Sequence, residues 1–453
     1  MRLTILGGGG FRVPLVYGAL LGGGPSESPI SDVVLHDSDP GRLHAIEHVL
    51  RAQRAGAPRA PKVQATTNLD EAIEGAHVVF SAIRVGGLAG RTCDERVALD
   101  LGVLGQETTG PGGIAYGLRT VPVAVDLAER IAARAPRAWV INFTNPAGMI
   151  TQAMQGVLGE RVVGICDSPI GLARRAARAL RLDPRRTGAD YVGLNHLGWL
   201  RGLHQAGEDV LPRLLADAPL LETIEEGRLF GADWVQTLGA LPNEYLYYFY
   251  RTREAVAAIR GSAQTRGEFL LDQQESFYAA VAAEPDSALA TWRAVRAERD
   301  ASYMREARAD DEQRDAADLE GGGYEGVALA LMSALHSGQP ATMILNVAAG
   351  SAVPGMHSDA VVEVPCLVDA SGVRPLATGP LDGHMLGLML TVKHVEELTI
   401  RAARERDARL AAEAFALHPL VDSVSTGKAL LRGYRTRIPA IDALFAATPG
   451  DPG

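Results

Sequence analysis

Cys166 ends the run Gly164-Ile165-Cys166, with Asp167-Ser168-Pro169 behind it, and His196 ends Gly193-Leu194-Asn195-His196, just past the β-prone pair Tyr191-Val192. A thiolate and an imidazole can share one soft or borderline divalent ion and leave coordination positions open for substrate oxygens. Each residue also has a plainer reading, as a buried structural cysteine and a satisfied core histidine, because two ligands far apart in sequence are no zinc signature. Cys93 and Cys366 read as structural. Three cysteines are too few and too odd in number for a disulfide framework, so a reducing compartment is expected.

A second cluster suits a nucleotide. Gly7-Gly8-Gly9-Gly10 follows the β-prone Leu3–Leu6 directly and leads into the helix-prone run Phe11 to Leu20. Such a turn lets backbone amides approach a pyrophosphate at the positive end of a helix dipole. Asp37 closes the next apolar run, Val33-Val34-Leu35, about where an acid accepts hydrogen bonds from a ribose diol. The candidate cofactor set is therefore Gly7, Gly8, Gly9, Gly10, Phe11, Arg12, Asp37 and Arg42. An acid at 37 favours NAD over NADP, and Arg42 keeps NADP open. The plain alternative is a tight turn that binds nothing.

Two further stretches join glycines to fixed polar groups. Arg84 to Gly113 contains Arg91 and the block Gly105-Gln106-Glu107-Thr108-Thr109-Gly110-Pro111-Gly112-Gly113, which reads as a loop wrapping an anionic ligand. Asn142-Phe143-Thr144-Asn145-Pro146-Ala147-Gly148 places two amides where a sugar or carboxylate can be held, or else forms Asx turns and caps.

The elements that position these groups alternate. Strand-like runs at Leu3–Leu6, Val33–Leu35, 77–82, 138–142 and 162–166 are separated by helical stretches such as Arg42–Arg54 and Val121–Ala135. That alternation predicts an α/β fold whose N-terminal domain, residues 1–168, is a doubly wound Rossmann sheet, with a second domain over 169–453. In the second half, strands are expected at 341–347 and 360–366 and one long helix at Leu386–Ala416, in an order the pattern does not define. Ala309–Gly323 reads as an exposed acidic loop and a candidate hinge.

Composition narrows the partners. A formal charge of −10 argues against a nucleic-acid footprint. No run approaches the roughly 18 apolar residues of a membrane span. The start Met-Arg-Leu-Thr-Ile-Leu does not resemble a signal peptide, so a cytoplasmic protein is expected.

Taken together, the blocks at Leu6–Pro14, Arg84–Pro122, Asn142–Thr151, Gly164–Pro169, Gly193–Trp199, Pro242–Tyr250 and Val361–Asp369 resemble the family-four glycoside hydrolases, the NAD-dependent 6-phospho-α- and 6-phospho-β-glucosidases. The resemblance implies a C-terminal α+β domain like that of lactate/malate dehydrogenases, and a homodimer or homotetramer. It also implies NAD and Mn²⁺ (or another divalent metal) as cofactors, and a small-molecule glycoside as substrate.

In the implied reaction NAD⁺ takes hydride from C3, which acidifies the C2 proton. A base removes that proton, the aglycone is eliminated from C1, water adds, and the hydride returns. Such enzymes are exceptions to the two-carboxylate scheme of glycoside hydrolysis. By the same resemblance Cys166 and His196 are metal ligands, Tyr245 is the C2 base and Glu107 raises its basicity; a phenol, ordinarily near pKa about 10, needs such help. Arg91, Asn145 and Arg266 match substrate-binding positions. Arg84 and Arg96 nearby are weaker candidates for the same role, because an arginine on a helix is more often a solvated face residue.

Asp167 departs from the Cys-Asn-Val-Pro of β-specific members, and as a carboxylate it could add a metal ligand, protonate the aglycone or repel a phosphate. The expected activity is cleavage of β-glucosides, 6-phosphorylated in the parent pattern. The alternatives are a non-phosphorylated or α-linked sugar, a sugar or 2-hydroxyacid dehydrogenase with net oxidation, and a nucleotide-binding protein without turnover.

Overall fold

Apolar runs in the first 164 residues become six parallel strands: β1 (Arg2–Leu6), β2 (Asp32–His36), β3 (Lys62–Thr66), β4 (Val78–Ser81), β5 (Trp139–Asn142) and β6 (Val162–Gly164). The computed structural model describes residues 1–22, 29–57, 59–302 and 323–446. The strands lie in the order β3-β2-β1-β4-β5-β6, so the chain reverses direction across the sheet between β1 and β4. That is the Rossmann order, which leaves a crevice at the carboxyl ends of β1 and β4. Helices cover both faces, which is why these strands read as continuous apolar runs rather than alternating ones. Leu3, Ile5, Val78 and Phe80 point into one core and Leu6, Val79 and Val140 into the other.

The second half of the chain extends the same sheet. β7 (Gly188–Leu194), β8 (Leu197–Gln205), β9 (Glu208–Asp209), β10 (Leu241–Pro242), β11 (Ala341–Ala348), β12 (Val361–Asp369) and β13 (Gly372–Pro375) pair antiparallel. Beyond β6 the order runs β11-β12-β7-β8-β10. β11 joins β6 through one register pair, Asn346 with Gly164, and β12 joins β7 through one, Glu363 with Gly193. A Cβ on Gly164 would lie 2.5 Å from Thr151 Oγ1 and 2.8 Å from Asn346 Cβ, so the seam closes only on a bare backbone.

Several sequence expectations change here. Arg84–Gly113 is not one loop: Gly87–Asp100 is a helix, and the next helix, Pro111–Arg134, begins ten residues earlier than the apolar pattern suggested. The first of these buries Arg91, Asp94 and Glu95, so it shows no apolar stripe to betray it. The helix expected over Leu386–Ala416 is two, Gly383–Glu405 and Ala408–Leu417, because Arg406 turns left-handed at φ 54° and Asp407 caps the second through Arg409 N. The helix after the glycine turn begins at Val13, leaving Phe11 and Arg12 in the turn itself. The hinge candidate, apart from Gly323, lies outside the described residues.

Gly7 has φ +81°, and a Cβ there would stand 2.5 Å from the carbonyl oxygen of Ala82. Left-handed backbone costs an L-residue about 1–2 kcal/mol before any clash. Gly7→Ala should therefore lower the urea midpoint by at least that strain, and a variant that melts with the wild type would contradict the packing.

Candidate active site

A cavity of about 830 Å³ runs from the glycine turn to the seam of the sheet. At the turn its wall includes Gly7, Gly10, Phe11, Arg12 and Arg42, whereas Gly8, Gly9 and Asp37 stand behind it. The glycine amides are occupied: Gly8 N donates to His36 O, Gly10 N to Gly7 O, and Gly9 N to Asp37 Oδ2 at 2.9 Å. Asp37 thus braces the turn through one oxygen and accepts Asp39 N through the other, at 3.0 Å. The amide of Phe11 has no partner among the described residues, which makes it the donor the turn offers to an anion. Arg42 lies over the Tyr278 ring at 4.9 Å, and the Tyr278 hydroxyl donates to Gly9 O at 2.6 Å.

At the far end the structure gathers Cys166, Asp167, His196, Tyr245 and Asn145 on one wall. Cys166 follows β6 directly, and His196 sits in the tight turn between β7 and β8 with φ 63°. The Tyr245 ring stacks on His196, centroids 3.7 Å apart and 7° from parallel. Tyr245 belongs to a short helical turn, 244–246, and its own amide donates to Asn243 Oδ1 at 3.0 Å. Of the neighbouring phenols that a register error could confuse with it, Tyr247 and Tyr248 are buried, and Tyr245 is the one on His196.

Burial holds the His196 imidazole down to about 4, so the ring is neutral. Its Nδ1 lies 2.9 Å from Thr108 Oγ1, leaving Nε2 available to a ligand. Burial, with the Glu363 and Asp167 carboxylates adding to it, pushes the Cys166 thiol well above its ordinary value. A nearby cation would reverse that push. The sulfur and imidazole donors suit a borderline divalent ion, and among the described residues no third His, Cys, Asp or Glu completes a protein-only cage. Asn145 Oδ1 is buried with no hydrogen-bond partner, an acceptor without a donor. Cys166 and His196 therefore fit an ion whose remaining ligands come from elsewhere, and the unpartnered Asn145 acceptor stands on the same wall.

Glu107 is clamped. Its Oε2 takes Arg84 Nη1 at 2.6 Å and its Oε1 takes Arg91 Nη1 at 2.7 Å. Burial pushes its carboxyl up, and the two guanidiniums outweigh this and hold it down to about 2. Arg91 also holds Glu95 at 2.8 Å, so both of its ends are tied to carboxylates. Arg84, a weaker candidate in the sequence, is half of the clamp. Arg96 pairs with Glu268 away from the wall. Arg266, which lines the cavity, opens the helix Arg266–Ala283 behind a capping box of Thr265 and Glu268.

A buried carboxylate that sequence reasoning passed over lies beneath this wall. Glu363 accepts Asn346 Nδ2 at 2.8 Å, Asn195 Nδ2 at 3.4 Å and the Tyr191 hydroxyl at 3.2 Å. Asn195 in turn accepts Ala147 N at 3.2 Å, which couples His196's turn to the Asn145 loop. The available signal was an acid inside the otherwise apolar run Val361-Val362-Glu363-Val364.

The glycine turn at a Rossmann crevice, continuous with a pocket of thiol, imidazole and phenol, defines a class: an enzyme that sets a nucleotide against a second ligand. The family 4 glycosyl hydrolase model matches residues 2–182 and the family 4 glycosyl hydrolase C-terminal domain matches 191–421, so the chain belongs to that family. It is 29% identical over 442 residues to a probable 6-phospho-β-glucosidase of Bacillus subtilis, covering 95% of each chain. A 6-phospho-β-glucosidase from Thermotoga maritima, solved with NAD and glucose 6-phosphate, superposes with TM-score 0.81 at 26% identity over 96% of this chain and 98% of that one. A 6-phospho-α-glucosidase from gut microorganisms, solved with NAD and Mn²⁺, superposes with TM-score 0.78 at 26% identity over 97% and 98%. Among the described residues no helix is long and apolar enough to cross a membrane.

Burial pushes the Glu363 carboxyl up to about 7, against the lowering effect of Asn346, Asn195 and Tyr191. Its folded pKa lies above its unfolded one, so its contribution is full below about pH 4.3 and is lost as pH rises through 7. Between these limits Glu363→Gln should remove up to about 1.4 kcal/mol per pH unit from the slope of stability against pH. Parallel slopes in urea titrations of the two proteins would show that the carboxyl is ionised throughout.

Proposed function

We propose that this family 4 hydrolase cleaves 6-phosphoglucosides with NAD and a divalent ion such as Mn²⁺. The observation that carries the reading is the Tyr245 ring stacked on a neutral His196, in the cavity that also holds Cys166 and the glycine turn. The related structures with NAD, Mn²⁺ and glucose 6-phosphate support it. When bound, the cofactor supplies a reversible hydride acceptor and the ion a Lewis acid.

The chain's own residues do the rest. Phe11 N, Arg12 and Arg42 hold the nucleotide at the turn of Gly7, Gly8, Gly9 and Gly10, and Asp37 holds Gly9 N while accepting from the ribose diol. Cys166 and His196 ligate the ion, and Asn145 binds sugar oxygens with Arg91 and Arg266. Tyr245 removes the C2 proton, its ring fixed flat on His196. Glu107 remains anionic at neutral pH and opposes any net positive charge that would weaken the phenolate as a base. Asp167, on the wall beside Cys166, stands where it can assist departure of the aglycone oxygen.

Residues 1–168 form the nucleotide half of this reading and 169–453 the substrate half. A reducing, cytoplasmic setting suits a Cys166 that works as a thiolate. The β-linked sugar is the finer reading, supported by the names of the Bacillus subtilis and Thermotoga maritima proteins. A second reading, an α-linked sugar, is favoured by the Asp167 carboxylate, which departs from the β-type loop, and by the α-named structure.

A panel of p-nitrophenyl glucosides, α and β, with and without 6-phosphate, tests both readings with NAD⁺, Mn²⁺ and a thiol reductant. The expected result is release of nitrophenol from a phosphorylated member with no net NADH. Stoichiometric NADH would identify a dehydrogenase instead. Tyr245→Phe should lower C2 deuterium exchange by about 10²–10⁴-fold while NAD still binds. Cys166→Ser should lose stoichiometric Mn²⁺, and a variant that retains it would remove Cys166 from the ligand set.

A further inference from the structure

Three aromatic side chains from the second half of the chain reach back to the glycine turn. The Tyr278 hydroxyl donates to Gly9 O at 2.6 Å, Trp292 Nε1 to Phe11 O at 2.8 Å and the Tyr324 hydroxyl to Arg12 O at 3.0 Å. They stand on three separate helices, Arg266–Ala283, Ala288–Ala301 and Tyr324–Ser337. Buried phenols and indoles ordinarily find an acceptor, as Tyr17 does in Pro61 O at 3.0 Å and Tyr434 in Asp94 O at 2.8 Å. What sets these three apart is that their acceptors are residues 9, 11 and 12 of one turn.

A peptide unit is a rigid plane, so holding its carbonyl also aims the amide on its other side. The Phe11 amide, the donor this turn offers to an anion, shares its plane with Gly10 O, which accepts Val13 N at 3.0 Å. The planes before and after it carry Gly9 O and Phe11 O. Among the described residues no backbone amide donates to either of these carbonyls, and Tyr278 and Trp292 do. The next plane, with Arg12 O, takes Leu15 N at 3.0 Å besides Tyr324. The Phe11 side chain is seated as well, edge-on to Phe277 with centroids 5.1 Å apart at 88°, and 6.0 Å from Trp292. Helices from the far half of the chain thus set how the Phe11 peptide is held in the wall of the cavity.

A donor that is already aimed binds an anion without the cost of ordering it on arrival. We propose that Tyr278 and Trp292, with Tyr324 beside them, are positioning residues for the cofactor diphosphate, holding the turn so that the Phe11 amide meets it. The proposal rests on the reading of this turn as the NAD site, and it means that residues 1–168 do not complete that site alone. Tyr278 also faces Arg42, whose guanidinium carbon lies 4.9 Å from the centre of its ring. Phenylalanine at 278 keeps that stack and removes only the hydroxyl.

The test is calorimetry of NAD⁺ binding to the whole chain, in wild type, Tyr278→Phe, Trp292→Phe and Tyr17→Phe, with Mn²⁺ binding and melting temperature measured alongside. Tyr17→Phe loses the same kind of bond from a residue that does not line the cavity. Tyr278→Phe and Trp292→Phe should each weaken NAD⁺ binding about 3- to 10-fold, the worth of one hydrogen bond, and keep wild-type Mn²⁺ binding. Tyr17→Phe should melt no higher than Tyr278→Phe and still bind NAD⁺ as wild type does. In turnover, the loss in Tyr278→Phe should fall on KM for NAD⁺ rather than on kcat, whereas a damaged fold lowers the amount of active enzyme and with it kcat.

Wild-type NAD⁺ affinity in either Tyr278→Phe or Trp292→Phe overturns the proposal. So does a Tyr17→Phe variant that loses as much affinity as they do, or a loss of Mn²⁺ binding in step with NAD⁺, since either would make the effect one of general stability. A wild type that binds no NAD⁺ overturns the cofactor reading itself, and the proposal with it.

Discussion

The geometry of the site depends on two single-residue bridges in the sheet. Asn346 meets Gly164 and Glu363 meets Gly193, and these pairs join the parallel half to the antiparallel half. Cys166 stands two residues past the first bridge and His196 three past the second, so the spacing of thiol and imidazole is set by the seam rather than by a loop. The Glu363 carboxylate closes that seam by accepting from Asn346, Asn195 and Tyr191. Elements distant in sequence are thus held by one buried group, which is how a rigid scaffold positions chemistry. The bareness of Gly164 belongs to the same constraint, since a side chain there would push β11 off β6.

A second layer of order is electrostatic. The wall between the nucleotide turn and the Tyr245 stack is built of buried arginines, and each buried charge must find an opposite one. Arg119 meets Asp94 through two hydrogen bonds at 2.7 and 2.6 Å, Arg91 meets Glu95 and Glu107, and Arg84 meets Glu107. On the other side, Arg175 binds Glu226 and lies 3.7 Å from Glu244, which itself accepts the Ser168 hydroxyl at 3.1 Å. That chain ties the helix carrying Asp167 and Ser168 to the turn carrying Tyr245. Pairing of buried charges thus explains the fold of these segments.

How much of this was legible in the sequence follows from how local each signal is. The parallel half was readable because strands buried on both faces write unbroken apolar runs, and Gly7–Gly10 with Asp37 form a short-range motif. The order of β7, β8, β11 and β12 was not, because the pairings that set it, β6 with β11 and β7 with β12, span more than a hundred residues and leave no periodic trace. The Gly87–Asp100 helix hid for a related reason, since it buries charges instead of an apolar stripe. Glu363 was visible as an acid in an apolar strand, yet its partners Asn195 and Tyr191 are far away in the chain.

His196 joins these two kinds of information. The hairpin between β7 and β8 pairs Leu194 with Leu197, leaving Asn195 and His196 as the turn residues, with His196 at φ 63°. A glycine or asparagine takes that conformation most easily, and histidine there carries roughly 1–2 kcal/mol of strain. Such strain persists only where surroundings over-determine it. Here they do: Asn195 is held by Ala147 N and Glu363, and the imidazole by Thr108 on its edge and Tyr245 on its face. A turn that needed only to reverse the chain would end in Asn-Gly. Asn-His therefore records a choice of side chain over backbone comfort, and that choice places an imidazole, neutral and stacked, on the wall of the cavity that also holds Cys166.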